Sequence, residues 1–317
     1  MRPSLGFHQA LRVMGVFLPV LISGLLFFGS AQARAECFKP LTDIKSKNPA
    51  DWKDLSNFVP DLNSSDLRDV KSDEIIELQT IEKGEGEKIN LDFYTISFAA
   101  HPSKTIREVF RDIRLNFPEF IKSQDQDFRP YMSTSEVDDK EFNRNKKLWD
   151  SVSPKGALMT FKLGNIPGIA ASKERKISLK HKYGDVFATC STDRDFIFST
   201  VKTKVGKFHP VNGNRGFGIK DNGNSTWSFF LMGADRESPD KLGKLGARAI
   251  AKYVSFHQPE LRRDFDEGVF VLGHKFWLEF FSGIRVYLED NNMKPTPESF
   301  HANSERYSYP LPPNATD

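Results

Sequence analysis

Cysteine is scarce in this chain. Cys37 and Cys190 are the only two in 317 residues, too few and too far apart for a zinc site built on thiolates, and no metal is expected. Hydrolase signatures are lacking as well: there is no Gly-x-Ser-x-Gly elbow and no His-Glu-x-x-His pair, so catalytic residues are not identified from motifs. The acidic pairs Asp193/Asp195 and Asp264/Asp266 read as solvated turns or caps. The glycine-rich stretch His209 to Gly218 has no Lys-Ser/Thr after it and leads into a hairpin instead of a helix, which excludes a phosphate loop or a dinucleotide fingerprint. It reads as a structural turn between two strands, and no cofactor is implied.

An excess of one charge is missing too, once the N-terminus is considered. Arg2 and Arg12 bracket a short basic region, an uncharged apolar run follows from Val13 to Gly29, and Ala31-Gln32-Ala33-Arg34-Ala35 offers small-x-small cleavage sites. Residues 1–35 therefore read as an export signal, with the mature chain starting at Arg34 or Glu36. Pro19, Gly24 and Gly29 interrupt the run and no basic flank stops it, which argues against a retained membrane span. For a mature chain starting at Glu36, loss of Arg2, Arg12 and Arg34 takes the 45 basic residues to 42, equal to the 42 acidic ones. A chain near neutrality with mixed signs lacks the footprint of a nucleic-acid binder. The expectation is an exported, periplasmic or secreted monomer.

What is present is patterned. An even cysteine count in an oxidising compartment points to one disulfide, Cys37 to Cys190, stapling the new N-terminus to the body. Residues 36–88 form a polar N-terminal extension, with Trp52, Leu55, Phe58 and Val59 at helical spacing, and residues 294–317, proline-rich, read as a disordered tail. Between them, 89–293 read as one α+β domain. Residues 89 to 100 alternate like a half-buried strand. Ser103 is placed to cap a helix carrying Ile106, Val109, Phe110, Ile113 and Phe117, and a second helix falls within 138–150. After Pro154, six short apolar runs (157–163, 176–183, 185–192, 196–204, 216–220, 226–232) are separated by turn signals such as Tyr183-Gly184-Asp185, which predicts an antiparallel sheet. Helices return at 242–256 and at 264–289. In the last, Phe270, His274, Trp277, Phe281, Ile284 and Leu288 share one face, while Lys275, Glu279, Ser282, Arg285 and Glu289 form a narrow polar stripe. Such a helix needs cover from the sheet on one side and from the extension or the preceding helix on the other.

The strand Leu91 to Phe98, the helix start His101 to Phe110 and the aromatic closing helix around Trp277 give an order of one strand, two helices, six strands and a long helix. That order resembles the helix-grip fold of the START and polyketide-cyclase-like superfamily. The resemblance implies a curved antiparallel sheet of about seven strands wrapped around the C-terminal helix, with a tunnel between them for an apolar ligand. This chain departs from it in a long insertion between Phe120 and Leu158 and a helical segment before the closing helix.

Candidate site residues follow from the hairpin turning at 221–225, which brings Arg215 near Asp235 across the ladder. Arg215, Asp235 and Arg236, with His209 nearby, make either an Asp–Arg tie between strand ends or a polar cavity end that pairs a ligand carboxylate or phosphate. His274, Trp277 and Phe281 are expected to line the cavity from the helix. Two functional classes result. One is an exported protein binding an apolar or amphipathic small molecule or lipid; the other is a secreted or periplasmic hydrolase or effector acting on cell-envelope material, with His209 or His274 working with Asp235. A third reading has the 28 phenylalanines simply filling a large core.

Overall fold

The computed structural model describes residues 36–41, 45–121, 127–133, 139–163, 182–206, 209–239 and 268–311. All of these lie in the second of two compact units, residues 35–317. The expected export signal, most of the expected strand at 176–183 and the expected helix at 242–256 fall outside the described residues.

In chain order, a 3-10 turn (Pro49–Trp52) runs into α1 (Lys53–Ser56), followed by α2 (Ser65–Arg68), β1 (Ile75–Leu78) and β2 (Glu85–Ala99). Next come α3 (Ile106–Leu115), α4 (Phe117–Phe120), β3 (Asp127–Pro130), α5 (Lys140–Asp150) and β4 (Leu158–Leu163). The chain then runs through β5 (Lys182–Ser191), β6 (Asp195–Thr203), β7 (Val211–Gly223), β8 (Thr226–Glu237), α6 (Gly268–Asp290) and β9 (Pro295–Ser308). The strands make one nine-stranded sheet in the order β3-β4-β5-β6-β7-β8-β2-β9, with β1 on β6. All the pairings are antiparallel. An α+β chain with a large antiparallel sheet is thus as expected, but the sheet is wider than the seven strands anticipated.

Strand alternation explains where the core sits, because successive side chains point to opposite faces. On one face Tyr94, Ile96 and Phe98 of β2, Phe196 and Phe198 of β6, Phe217 of β7 and Phe229 of β8 pack with Phe276, Trp277, Phe280 and Phe281 of α6. On the other face Ile89, Leu91 and Phe93 of β2 and Phe230 and Met232 of β8 pack with Phe38, Leu41, Trp52 and Leu55 of the extension. A third cluster, including Leu158, Phe187 and Val201, joins Leu67 and Ile75. The extension therefore covers the far face of the sheet and not α6. Cover for α6 on its second side comes from α4: Phe120 packs on Phe280 at 5.7 Å and on Tyr287 at 5.6 Å between ring centroids. With both faces covered, β2 is buried on both sides, against the half-buried reading of its alternation. The polar stripe Lys275, Glu279, Ser282, Arg285 and Glu289 is exposed as expected.

Other expectations are corrected. Residues 295–308, expected in a disordered tail, form β9, paired with β2 from Lys88↔Ser308 to Phe98↔Pro295. Pro295 and Pro297 are tolerated because an edge strand leaves one side of its backbone unpaired. Thr105, not Ser103, caps α3, its hydroxyl accepting from the Glu108 N–H while Glu108 reaches back in a capping box. Tyr183-Gly184-Asp185 is strand and not turn, and residues 213–218 lie inside β7. In each case glycine answers to a close neighbour: a Cβ at Gly184 would lie 2.3 Å from the His209 ring, and one at Gly216 would lie 2.4 Å from the Phe38 ring.

Two glycines of α6 yield opposite expectations. A Cβ at Gly283 would sit 2.9 Å from Cα of Phe120, whereas among the described residues no atom lies within 4 Å of a Cβ at Gly273. Alanine gains about 1 kcal/mol of helix propensity at either position, and overpacking against backbone costs about 1–3 kcal/mol. Gly283→Ala is expected to destabilise and Gly273→Ala to stabilise, read from urea midpoints; equal shifts would mean that α6 does not cross α4 at Gly283.

Candidate functional site

Cross-strand rows position the site. Reading across β7, β8, β2 and β9, one row holds Gly213, Asp235, Asn90 and Arg306, and the next holds Arg215, Gly233, Asp92 and Ser304. The two rows after that hold Phe217, Leu231, Tyr94 and Ala302, then Ile219, Phe229, Ile96 and Phe300. All these residues face α6, so the helix-facing surface of the sheet changes from charged to apolar within two rows.

Gly233 lets the charged rows connect. It stands between Arg215 and Asp92 in the ladder, and a Cβ there would lie 2.6 Å from Nη2 of Arg215. Across that gap Nη2 of Arg215 donates to Oδ2 of Asp92 at 2.9 Å and also to Oδ2 of Asp235. Beside them Nη1 of Arg306 donates to Oδ1 of Asn90 and, at 2.7 Å, to the Ser304 hydroxyl.

Four residues of α6 cover this cluster, spaced so that they share one face. The Trp277 ring lies 4.6 Å from the Arg215 guanidinium and the Phe270 ring 4.9 Å from that of Arg306. Nδ1 of His274 is 2.7 Å from the Tyr94 hydroxyl, and Phe281 stacks on the Tyr94 ring at 5.8 Å.

Two carboxylates share one guanidinium here, and the protonation states reflect it. Burial, with Asp92 adding to it, pushes the Asp235 carboxyl up to about 6 even though Arg215 opposes the shift. Burial alone disfavours the charge on Arg215, yet Asp235 and Asp92 outweigh it and hold the guanidinium above its ordinary range. Burial and the Asp92 charge push the Tyr94 phenol well up, so it stays protonated, and its hydroxyl shares a hydrogen bond with Nδ1 of His274. Among the described residues, Oδ1 of Asp92 and Nη1 of Arg215 are buried without a hydrogen-bond partner.

Arg215, Asp235, His274, Trp277 and Phe281 are therefore brought together. Arg236 is not. Strand alternation turns it to the far face, where Nη1 donates to the Ile81 carbonyl at 3.0 Å, Nη2 to that of Gly86 at 2.6 Å, and the Tyr309 ring stacks at 3.8 Å. His209 lies against Gly184, its Nδ1 3.0 Å from the Val211 carbonyl, and burial pushes it down to about 4, leaving it neutral. Asp235 bonds Arg215, while Nδ1 of His274 faces the Tyr94 hydroxyl and Nδ1 of His209 the Val211 carbonyl. A shared guanidinium of this kind can orient a polar group by charge-assisted hydrogen bonds.

Sequence reasoning missed Asn90, Asp92, Tyr94 and Arg306. The available signal was in β2, where the i, i+2 series Asn90, Asp92, Tyr94, Ile96, Phe98 turns from polar to apolar midway and so does not describe a solvent face. Cys37 and Cys190 are joined as expected, with Cα atoms 5.8 Å apart. Among the described residues, no helix is long and apolar enough to cross a membrane. No known protein family matches the chain, and no curated protein matches it.

Proposed function

We propose that this is an exported binding protein that holds an amphipathic small molecule or lipid between the sheet and α6, its polar head at the Arg215 cluster. One observation carries the reading: a charged cluster, with atoms on Asp92 and Arg215 that are unpartnered among the described residues, is buried beneath the aromatic face of a helix, beside an apolar surface. Ligand sites combine these features, a mostly apolar lining with a few placed polar groups. The order β2 next to β8, a meander from β3 to β8 and α6 packed across it supports the helix-grip resemblance and the START-like reading. The signal-like residues 1–35 and the disulfide support export to an oxidising compartment.

Native mass spectrometry of the purified protein tests the reading, with the Trp277→Ala variant beside it. Wild type is expected to carry a co-purifying apolar ligand. The variant is expected to fold, melt lower and lose the ligand, since Trp277 contacts both Arg215 and the Phe217 ring, the latter at 5.7 Å. A wild type that is always empty, with a variant that merely loses stability, would leave the aromatics as plain core filling.

A further inference from the structure

We infer that the Arg215 cluster selects a neutral head group carrying both a donor and an acceptor, a hydroxyl or a primary amide, and rejects carboxylate and phosphate heads. The inference rests on the binding reading above and names the ligand class for that site.

The unpartnered atoms set the pattern. Oδ1 of Asp92 accepts and Nη1 of Arg215 donates, and both are buried. A hydroxyl or amide satisfies one of each. A carboxylate or phosphate offers acceptors only, so it leaves Oδ1 of Asp92 facing another anion.

Charge decides in the same direction. Arg215 is already shared by Asp92 and Asp235, and Arg306 is bonded to Asn90 and Ser304. An anionic head would add a third negative group around one guanidinium, at a burial where like charges are screened least. An ammonium head would satisfy Oδ1 of Asp92 but leave Nη1 of Arg215 facing a cation. Stacking holds the geometry: Trp277 on Arg215 and Phe270 on Arg306 keep both guanidinium planes in place, so neither swings out to meet a phosphate.

Binding of decanol, decanoate and decyl phosphate to the full chain, measured by calorimetry at neutral pH, tests this with one apolar tail and three heads. Decanol is expected to bind at least about tenfold more tightly than either anion, a difference of about 1.4 kcal/mol. Equal or tighter binding of an anion overturns the head-group inference while leaving the binding reading intact; binding of none of the three overturns the binding reading itself. Asp92→Asn, close in shape and one negative charge fewer, locates the head. It is expected to strengthen decanoate binding several-fold and to weaken that of decanol. An unchanged order of preference in a folded Asp92→Asn protein would place the head elsewhere and overturn the assignment.

Discussion

Replacing Arg215 with leucine is expected to destabilise the protein by about 3–5 kcal/mol at neutral pH, because it leaves Asp92 and Asp235 buried beside each other without their shared cation. The loss carries a pH signature. Asp235 is raised to about 6 from an ordinary value of 3.8, so its burial costs nothing below the lower value and its full amount once pH passes the upper one. Removing Arg215 raises this carboxyl further. The deficit of the variant should therefore shrink as pH falls from 7 towards 4. Urea denaturation of both proteins across that range measures it, and a loss below about 1 kcal/mol that ignores pH would exclude a buried ion pair. The double variant Arg215→Leu, Asp235→Leu should recover part of the loss, since apolar groups often replace a buried pair at little cost.

Loss of the disulfide is expected to be comparably severe. Cys37 and Cys190 lie 153 residues apart, and closing a loop of that length is worth about 4–5 kcal/mol in the chain-entropy account. The effect on the native state is local. Phe38 packs on Gly216 and, at 5.9 Å between ring centroids, on Phe230 only because Cys37 anchors the arm that carries it. Asp195 helps by accepting the Cys37 N–H at 3.3 Å. The variant Cys37→Ser, Cys190→Ser should melt lower than the oxidised wild type and match the reduced one. Two reactive thiols per chain in unfolded, unreduced wild type would contradict the bridge.

Most of the architecture was legible from periodicity. The runs that became β4 to β8 are short apolar stretches, and α6 repeats every three to four residues, so both are visible in sequence. β1 and β3, at four residues each, are too short to show a period. β9 was hidden by its composition: an edge strand accepts proline and serine, the residues that also mark a tail. The site was legible to the extent that hairpin register governs it, which is why Arg215 and Asp235 were placed together. Arg236 was misplaced because neighbours in sequence are opposites in a strand. Asp92 escaped because polar members of an alternating strand are read as facing water, and here α6 covers them. Only the fold shows that the sheet is buried on both faces, and burial is what turns an ordinary aspartate into part of a site.

The position of β2 in the sheet also sets an order in time. It is flanked by β8 and β9, so neither neighbour exists until synthesis has passed Thr226, and the second only after Pro295. Until then one of the most apolar strands in the chain, Leu91 to Phe98, has no partner of its own. Contacts this distant along the chain make folding slow. A product ending before Pro295 keeps one edge of β2 open, a template on which a second chain can pair.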